Sequence, residues 1–449
     1  MAKRNLSILI GILTVGASII ACSDDKNDAD EGESGAQGIQ EPTETGGSST
    51  VAGTGDGGGS APVAGTGKSG PVAGTGGDEP EAGTGGDEPE AGAGGDEPEA
   101  GAGKSEPEGP ITCTGDQVPV DGQCVDRKVP DYLETGWVRI DPGEPTTCVH
   151  GDPYSFYVRK GTINKLLLFL QGGGACWDEL TCLLAGVGYT TLATAPGTSG
   201  IFDPNNAENP FRDWYLVFAP YCSGDVFFGD STQDFGGGPM EFKGFVNMTV
   251  IREWITENIT APEFIFVSGC SAGAVGVTLH GAYLARSYKD NQMVDGAMVT
   301  DSFQGIIPDG FVGLDNWGVP ANFPDWLPEL ESIQEPYPAD IMARGIKEAL
   351  ALPEFSGYIA ANFNFANDAV QATYYGLMGG LDDLSVAIPE TVHDLYAARP
   401  DNYRYYTAPG TEHCVFESPG VYDIEVEGTR LIDWLGDIAN NVDVTSVEP

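Results

Sequence analysis

The chain has 449 residues, with 67 Asp and Glu against 21 Lys and Arg and a formal net charge of −46. That length allows two or three domains, and 41% hydrophobic residues are enough for a full-sized core. So acidic a chain excludes general nucleic-acid binding, because a polyphosphate would be repelled rather than exchanged for counterions. The 64 Gly and 31 Pro are too many for one compact domain, so part of the chain is expected to stay unfolded.

Lys3 and Arg4 precede an apolar run from Leu6 to Ala21, the length of a signal-peptide core and short for a membrane span. The run ends in Ile19-Ile20-Ala21-Cys22, which resembles the bacterial lipobox, whose Cys is acylated and becomes the mature N-terminus. The expectation is that residues 1–21 are a lipoprotein signal peptide and that a lipid on Cys22 anchors the exported protein to a bacterial cell membrane. Ser23 after the Cys is compatible with sorting to the outer membrane.

Residues 22–110 read as a linker. From Ser23 to Pro110 there is no aromatic residue and no Cys, and 20 acidic against 3 basic residues give a net of −17. Nonapeptides begin at Ala73, Ala82, Ala91 and Ala100, but nothing apolar recurs for neighbouring repeats to bury, so backbone entropy prevails. As a coil of about 88 residues the segment would have an end-to-end distance on the order of 50 Å. It is a tether that holds a domain clear of a membrane.

Nine Cys less Cys22 leave eight, an even number that reads as disulfides in an exported protein. Cys113 and Cys124 bracket a short polar loop, within a small segment 111–128, and are expected to close on each other. No CxxC or HExxH occurs and the four His are scattered, so no metal or other cofactor is expected.

From 129 to 449, strand-like runs alternate with helical ones. Leu166–Leu170, Tyr215–Phe218, Phe264–Val267 and Ala297–Val299 are continuous apolar runs, as strands covered on both faces should be. Phe245–Asn258, Ala272–Ala285, Pro338–Leu352, Glu390–Arg399 and Thr429–Asn440 read as helices, and Tyr403–Tyr406 as a late strand. The alternation predicts an α/β fold with a mostly parallel sheet flanked by helices.

The strand at Phe264 runs into Gly269-Cys270-Ser271-Ala272-Gly273, a G-x-S-x-G sequence that opens the next helix. This is the context of a nucleophile elbow: glycines permit the tight turn, and the helix N-terminus favours negative charge beside Ser271. Cys270 is a rival nucleophile by chemistry, but it flanks the apex and should point elsewhere. After the Leu166–Leu170 run comes Gln171-Gly172-Gly173-Gly174, placed where an HGGG-type loop would supply oxyanion donors. Gly173 and Gly174 are assigned as donors, together with the N–H of Ala272.

The base of such a fold follows the Ser and the acid in chain order. His150 comes too early, His280 lies in the elbow helix and His393 falls mid-helix, which leaves His413 in the loop after the last strand. For the acid, Asp301 and Asp368 each follow a strand beyond the elbow helix. The later position, Asp368, is preferred. Asp301 could instead cap its turn and shape the pocket with Phe303.

Together LFLQGGGACW, APYCSGDVFFGD from Ala219 to Asp230, GCSAG, NDAVQ around Asp368 and GTEHC at His413 resemble the pectin acetylesterase family, which includes Notum-type carboxylesterases. The resemblance covers roughly Cys148 to Cys414 and implies an α/β-hydrolase fold with Ser271, Asp368 and His413 as triad. It also implies disulfides Cys176–Cys182 and Cys148–Cys222, which leaves Cys270 with Cys414. The family often has Trp directly after the first oxyanion glycines; here Gly174 and Ala175 follow and Trp177 comes later, so the pocket roof should differ. The implied function is a serine esterase that removes acyl groups, acetyl first among them, from polysaccharide or related esters. From Ile111 onward 47 acids against 16 bases give −31, which would repel polygalacturonate and favours neutral substrates. An acyl-lipid or protein deacylase, and a non-catalytic glycan- or partner-binding surface protein, are the alternatives.

Overall fold

The computed structural model describes residues 117–120, 123–126, 130–133, 135–183, 188–288, 294–303 and 305–449. The signal and linker segments, Cys22 and Cys113 lie outside the described residues.

The central sheet has eight strands, numbered here in chain order: β1 Trp137–Ile140, β2 Phe156–Arg159, β3 Lys165–Leu170, β4 Tyr215–Ala219, β5 Phe264–Cys270, β6 Gly296–Asp301, β7 Tyr358–Phe365 and β8 Tyr403–Ala408. Their spatial order is β1-β2-β4-β3-β5-β6-β7-β8. All neighbouring pairs are parallel except those made by β2, which runs antiparallel to β1 and β4. This is an α/β-hydrolase-like sheet, mostly parallel as the apolar runs predict.

The reason for those runs is visible along β3. Leu166, Leu168 and Leu170 enter one core and Leu167 and Phe169 the other, all without exposure. A strand covered on both faces has no polar side to show, and each such side chain contributes about 1.5–3 kcal/mol by leaving water. Helices α1 (Gly244–Asn258), α2 (Ala272–Ser287) and α3 (Ile341–Ala349) supply Ile251, Val277 and Ile341 to the first core. Helices α4 (Ala369–Leu377) and α5 (Leu384–Ala398) follow β7, and α6 (Leu431–Ala439) covers the opposite face with Leu431, Leu435 and Ile438.

Some boundaries differ from the sequence reading. Helix α5 starts at Leu384 rather than Glu390, with Pro389 inside it. The Asp383 carboxylate accepts the Ser385 N–H at 3.0 Å, so a capped first turn is already formed before the proline removes one donor. Thr429–Arg430 pairs with Glu425–Val426 as a small hairpin, and α6 begins only at Leu431. The antiparallel edge, β1 and β2, gave no continuous run because β1 is only half-buried. Among the described residues no helix is long and apolar enough to cross a membrane.

Candidate active site

Strand β5 enters α2 through Ser271, whose backbone sits at φ 54° and ψ −118°. A non-glycine residue held in that region is strained, as a nucleophile elbow requires. Gly273 makes the turn possible: a Cβ there would lie 2.0 Å from the Leu170 carbonyl oxygen. The N–H of Ala272 opens the helix, so it has no intrahelical acceptor and remains free to meet an oxyanion.

The loop after β3 lies against this turn. Gly174 has φ +72°, and a Cβ on it would meet the Gly188 carbonyl oxygen at 2.0 Å and the Tyr374 hydroxyl at 2.3 Å. The Tyr374 hydroxyl donates to that same Gly188 carbonyl, which braces the loop from α4. Gly174 and Ala272 both line the cavity with Ser271. Gly173 is not among the lining residues; its carbonyl accepts the Thr190 N–H at 2.8 Å.

Asp368 N-caps α4. Its Oδ1 accepts the backbone N–H groups of Val370 and Gln371, each at 3.0 Å. Its Oδ2 accepts from His413 Nδ1 at 2.7 Å and from the Gln371 side-chain amide at 2.9 Å. With the Nδ1 proton donated to a carboxylate, Nε2 carries the lone pair. That Nε2 is buried and has no partner among the described residues, and His413 and Ser271 line one cavity. Gln371, which also bonds Asn364 Oδ1 at 2.8 Å, orients the Asp368 carboxylate and was quoted in the sequence only as part of NDAVQ.

The rejected histidines have other occupations. His280 is fully buried with Nε2 on the Phe227 carbonyl at 2.7 Å, and burial holds its pKa well below the usual value. His393 bonds Glu448 at 2.9 Å.

Asp301 does not face the cavity; Ser302 and Phe303 beside it do. Its Oδ2 accepts the N–H groups of Val415 and Phe416, each at 2.8 Å, and burial pushes the carboxyl up to about 6 despite those bonds. Burial, then the charge on Asp301, pushes Glu417 up to about 8.

Disulfides join Cys148 to Cys222, Cys176 to Cys182 and Cys270 to Cys414, with Cα–Cα distances of 5.0, 4.9 and 5.6 Å. The last links the residue before Ser271 to the residue after His413. Cys270, His413 and Cys414 form the group of potential metal ligands among the described residues, but with both sulfurs in one disulfide no thiolate pair is offered. Closing a loop of 144 residues corresponds by chain entropy to about 5 kcal/mol. Replacing both Cys270 and Cys414 by Ser is therefore expected to lower Tm and to depress kcat more than it raises KM. A double variant whose kcat stays within a factor of about two of wild type would show the bridge to be immaterial to the placing of His413.

The cavity above Ser271 is open to solvent, and its empty space counted together with the solvent at its mouth comes to about 760 Å³. Its walls are almost wholly apolar, with Trp177, Phe303, Phe311, Trp317, Tyr374 and Tyr375 the bulkiest contributors. Trp177 thus occupies the wall although it stands later than the family's usual Trp.

Residues 136–304 match the family model described as pectinacetylesterase. Over this segment, less than half of the chain, the sequence is similar to that family. Among curated relatives, the palmitoleoyl-protein carboxylesterase notum2 of Xenopus laevis is 33% identical over 151 residues, 30% of this chain and 29% of the relative. The palmitoleoyl-protein carboxylesterase NOTUM of Homo sapiens is 30% identical over 148 residues, again 30% of this chain and 29% of the relative. Pectin acetylesterase 11 of Arabidopsis thaliana is 30% identical over 164 residues, 34% of this chain and 41% of the relative. The chain thus spans well under half the length of these curated relatives. The family match contains the glycine loop and the elbow, whereas Asp368 and His413 lie beyond it.

Proposed function

We propose that the protein is a serine carboxylic-ester hydrolase whose acyl pocket takes an aliphatic chain. The observation that carries this is the apolar cavity built directly over Ser271 and His413. Ser271 Oγ attacks the ester carbonyl while His413 Nε2 takes its proton; the imidazolium, held by Asp368, then protonates the departing alkoxide. The N–H groups of Gly174 and Ala272 receive the oxyanion. Water repeats the sequence on the acyl-enzyme and releases the acid. None of these steps calls on a metal or a cofactor.

The sequence pointed first to acetyl on a polysaccharide, in keeping with the name of the Arabidopsis relative, pectin acetylesterase 11. An acetyl group would leave most of the apolar wall of this cavity uncovered, whereas a longer chain would bury it. The two Notum relatives are named for removing palmitoleoyl from protein, and a lipid ester or an acylated protein fits this chain's pocket in the same sense.

A chain-length series of aryl esters tests the proposal. Each buried CH₂ is worth about 0.8 kcal/mol, roughly fourfold in kcat/KM. Octanoyl ester is expected to exceed acetyl ester by on the order of 10³, with acetylated pectin and xylan poor substrates. A preference for acetyl over octanoyl would return the reading to polysaccharide deacetylation, and no hydrolysis at all would favour a binder.

Lipid anchoring at Cys22 belongs to the same proposal and rests on the Ile19–Cys22 sequence alone. Cys22→Ser should release the protein from bacterial membranes; retention there would refute the anchor.

A further inference from the structure

Three consecutive backbone N–H groups follow His413, and residues 301–302 hold all three. The Cys414 N–H donates to Ser302 Oγ at 2.9 Å, and those of Val415 and Phe416 to Asp301 Oδ2 at 2.8 Å each. Cys414 at φ 57° turns the chain so that successive N–H groups converge, the arrangement of an anion-binding nest. Ser302, itself at φ 66°, donates its hydroxyl to Asp301 Oδ1 at 3.0 Å. The Asp301 main chain reaches the other way, because its carbonyl accepts the Ser271 N–H at 3.0 Å. One residue at the end of β6 therefore touches the nucleophile's backbone with its carbonyl and the base's segment with its carboxylate.

We propose that Asp301 is a positioning residue for ester hydrolysis, whose carboxylate seated in the Cys414–Phe416 backbone nest sets His413 in register with Ser271. The disulfide fixes only Cys414, a single point about which the segment could still pivot. The carboxylate adds two bonds on the far side of that point and removes the pivot. Asp301 is buried, so loss of its side chain would leave the N–H groups of Val415 and Phe416 without their acceptor. The consequence for catalysis rests on the hydrolase reading, since a misplaced base of about 1 Å can lower turnover by on the order of 10².

The test compares wild type with Asp301→Ala and Asp301→Asn on the best ester, alongside amide hydrogen exchange at Val415 and Phe416. Asp301→Ala is expected to lower kcat by on the order of 10² with KM within about threefold, and to speed exchange at both amides. Asp301→Asn keeps a carbonyl oxygen for the nest and should recover at least about tenfold of the lost kcat. If Asp301→Ala does not fold, Ser302→Ala removes the acceptor of the Cys414 N–H and the hydroxyl that donates to Asp301 Oδ1, and should lower kcat by roughly tenfold. An alanine variant with reduced Tm but wild-type kcat would show a structural cap and overturn the proposal, as would wild-type kcat in Ser302→Ala when Asp301→Ala cannot be made. Unchanged exchange at Val415 and Phe416 in Asp301→Ala would also overturn it. A wild-type protein inactive on every ester would sink the hydrolase reading instead, while the exchange measurement still decides whether the nest holds the segment.

Discussion

Ser271→Ala is expected to lower ester hydrolysis by at least about 10⁴ while leaving Tm within a few degrees of wild type. The substitution deletes only the attacking oxygen. The oxyanion donors of Gly174 and Ala272 and the apolar walls remain, and in enzymes of this kind they leave a residual rate above water once the nucleophile is gone. Alanine also keeps the Cβ, so the positive φ at this position is no worse accommodated than before. Substrate binding should persist in the variant, which separates loss of chemistry from loss of fold. Hydrolysis within tenfold of wild type would move the nucleophile elsewhere.

The second large effect concerns the acid. Asp368 Oδ1 accepts two backbone N–H groups, from Val370 and Gln371, so in Asp368→Asn the amide oxygen is drawn to that side. The amide nitrogen then faces His413 Nδ1 and the Gln371 side chain, both donors at present. Donor meets donor, and the imidazole can relieve the conflict only by moving its proton to Nε2, which is the wrong tautomer for a base. The expected loss of kcat is on the order of 10³ to 10⁴. In Asp301→Asn the two backbone donors again hold the oxygen, but the nitrogen faces only the Ser302 hydroxyl, which can turn and accept. Its loss should be at least tenfold smaller. Parallel steady-state kinetics on the two asparagine variants check this, and the reverse ranking would make Asp301 the acid that the base uses.

The elbow was legible because its grammar is local. An apolar strand, a G-x-S-x-G turn and a helical run occupy one stretch of chain, and Gly273 has to be small against the Leu170 carbonyl. Strands β3 to β6 were legible because burial on both faces leaves no polar alternation. By contrast, β1 is a four-residue edge strand with one exposed residue, and its pairing with β2 is set by neighbours rather than by pattern. Helix α5 was cut short at Pro389, because its cap at Asp383 lies several residues before the feature that dominates the local reading.

Within the site, the typing of residues was visible and their contacts were not. Asp301 could be read as the acid or as a residue that caps its turn and shapes the pocket with Phe303; its carboxylate accepts from Ser302 in that turn and does not line the cavity. It holds Val415 and Phe416, more than a hundred positions away in the chain, through backbone groups that carry no side-chain signature. Gln371 was similarly silent, since any amide three residues into a helix looks like a surface residue until Asp368 and Asn364 are placed beside it. The cavity was the least legible feature. Its walls come from the loop after β6, from α3, from α4 and from the start of α5, segments that share no period and meet only on folding.

The central claim, an aliphatic acyl pocket over a reactive Ser271, is tested most directly by mapping the site of covalent attack. Wild-type protein is treated with ethyl and dodecyl fluorophosphonates, digested, and the modified residue and its rate of modification are read by mass spectrometry. The expected result is one label per chain, on Ser271, formed at least about a hundredfold faster by the dodecyl reagent. Labelling at another residue, or equal rates for the two reagents, would contradict the account.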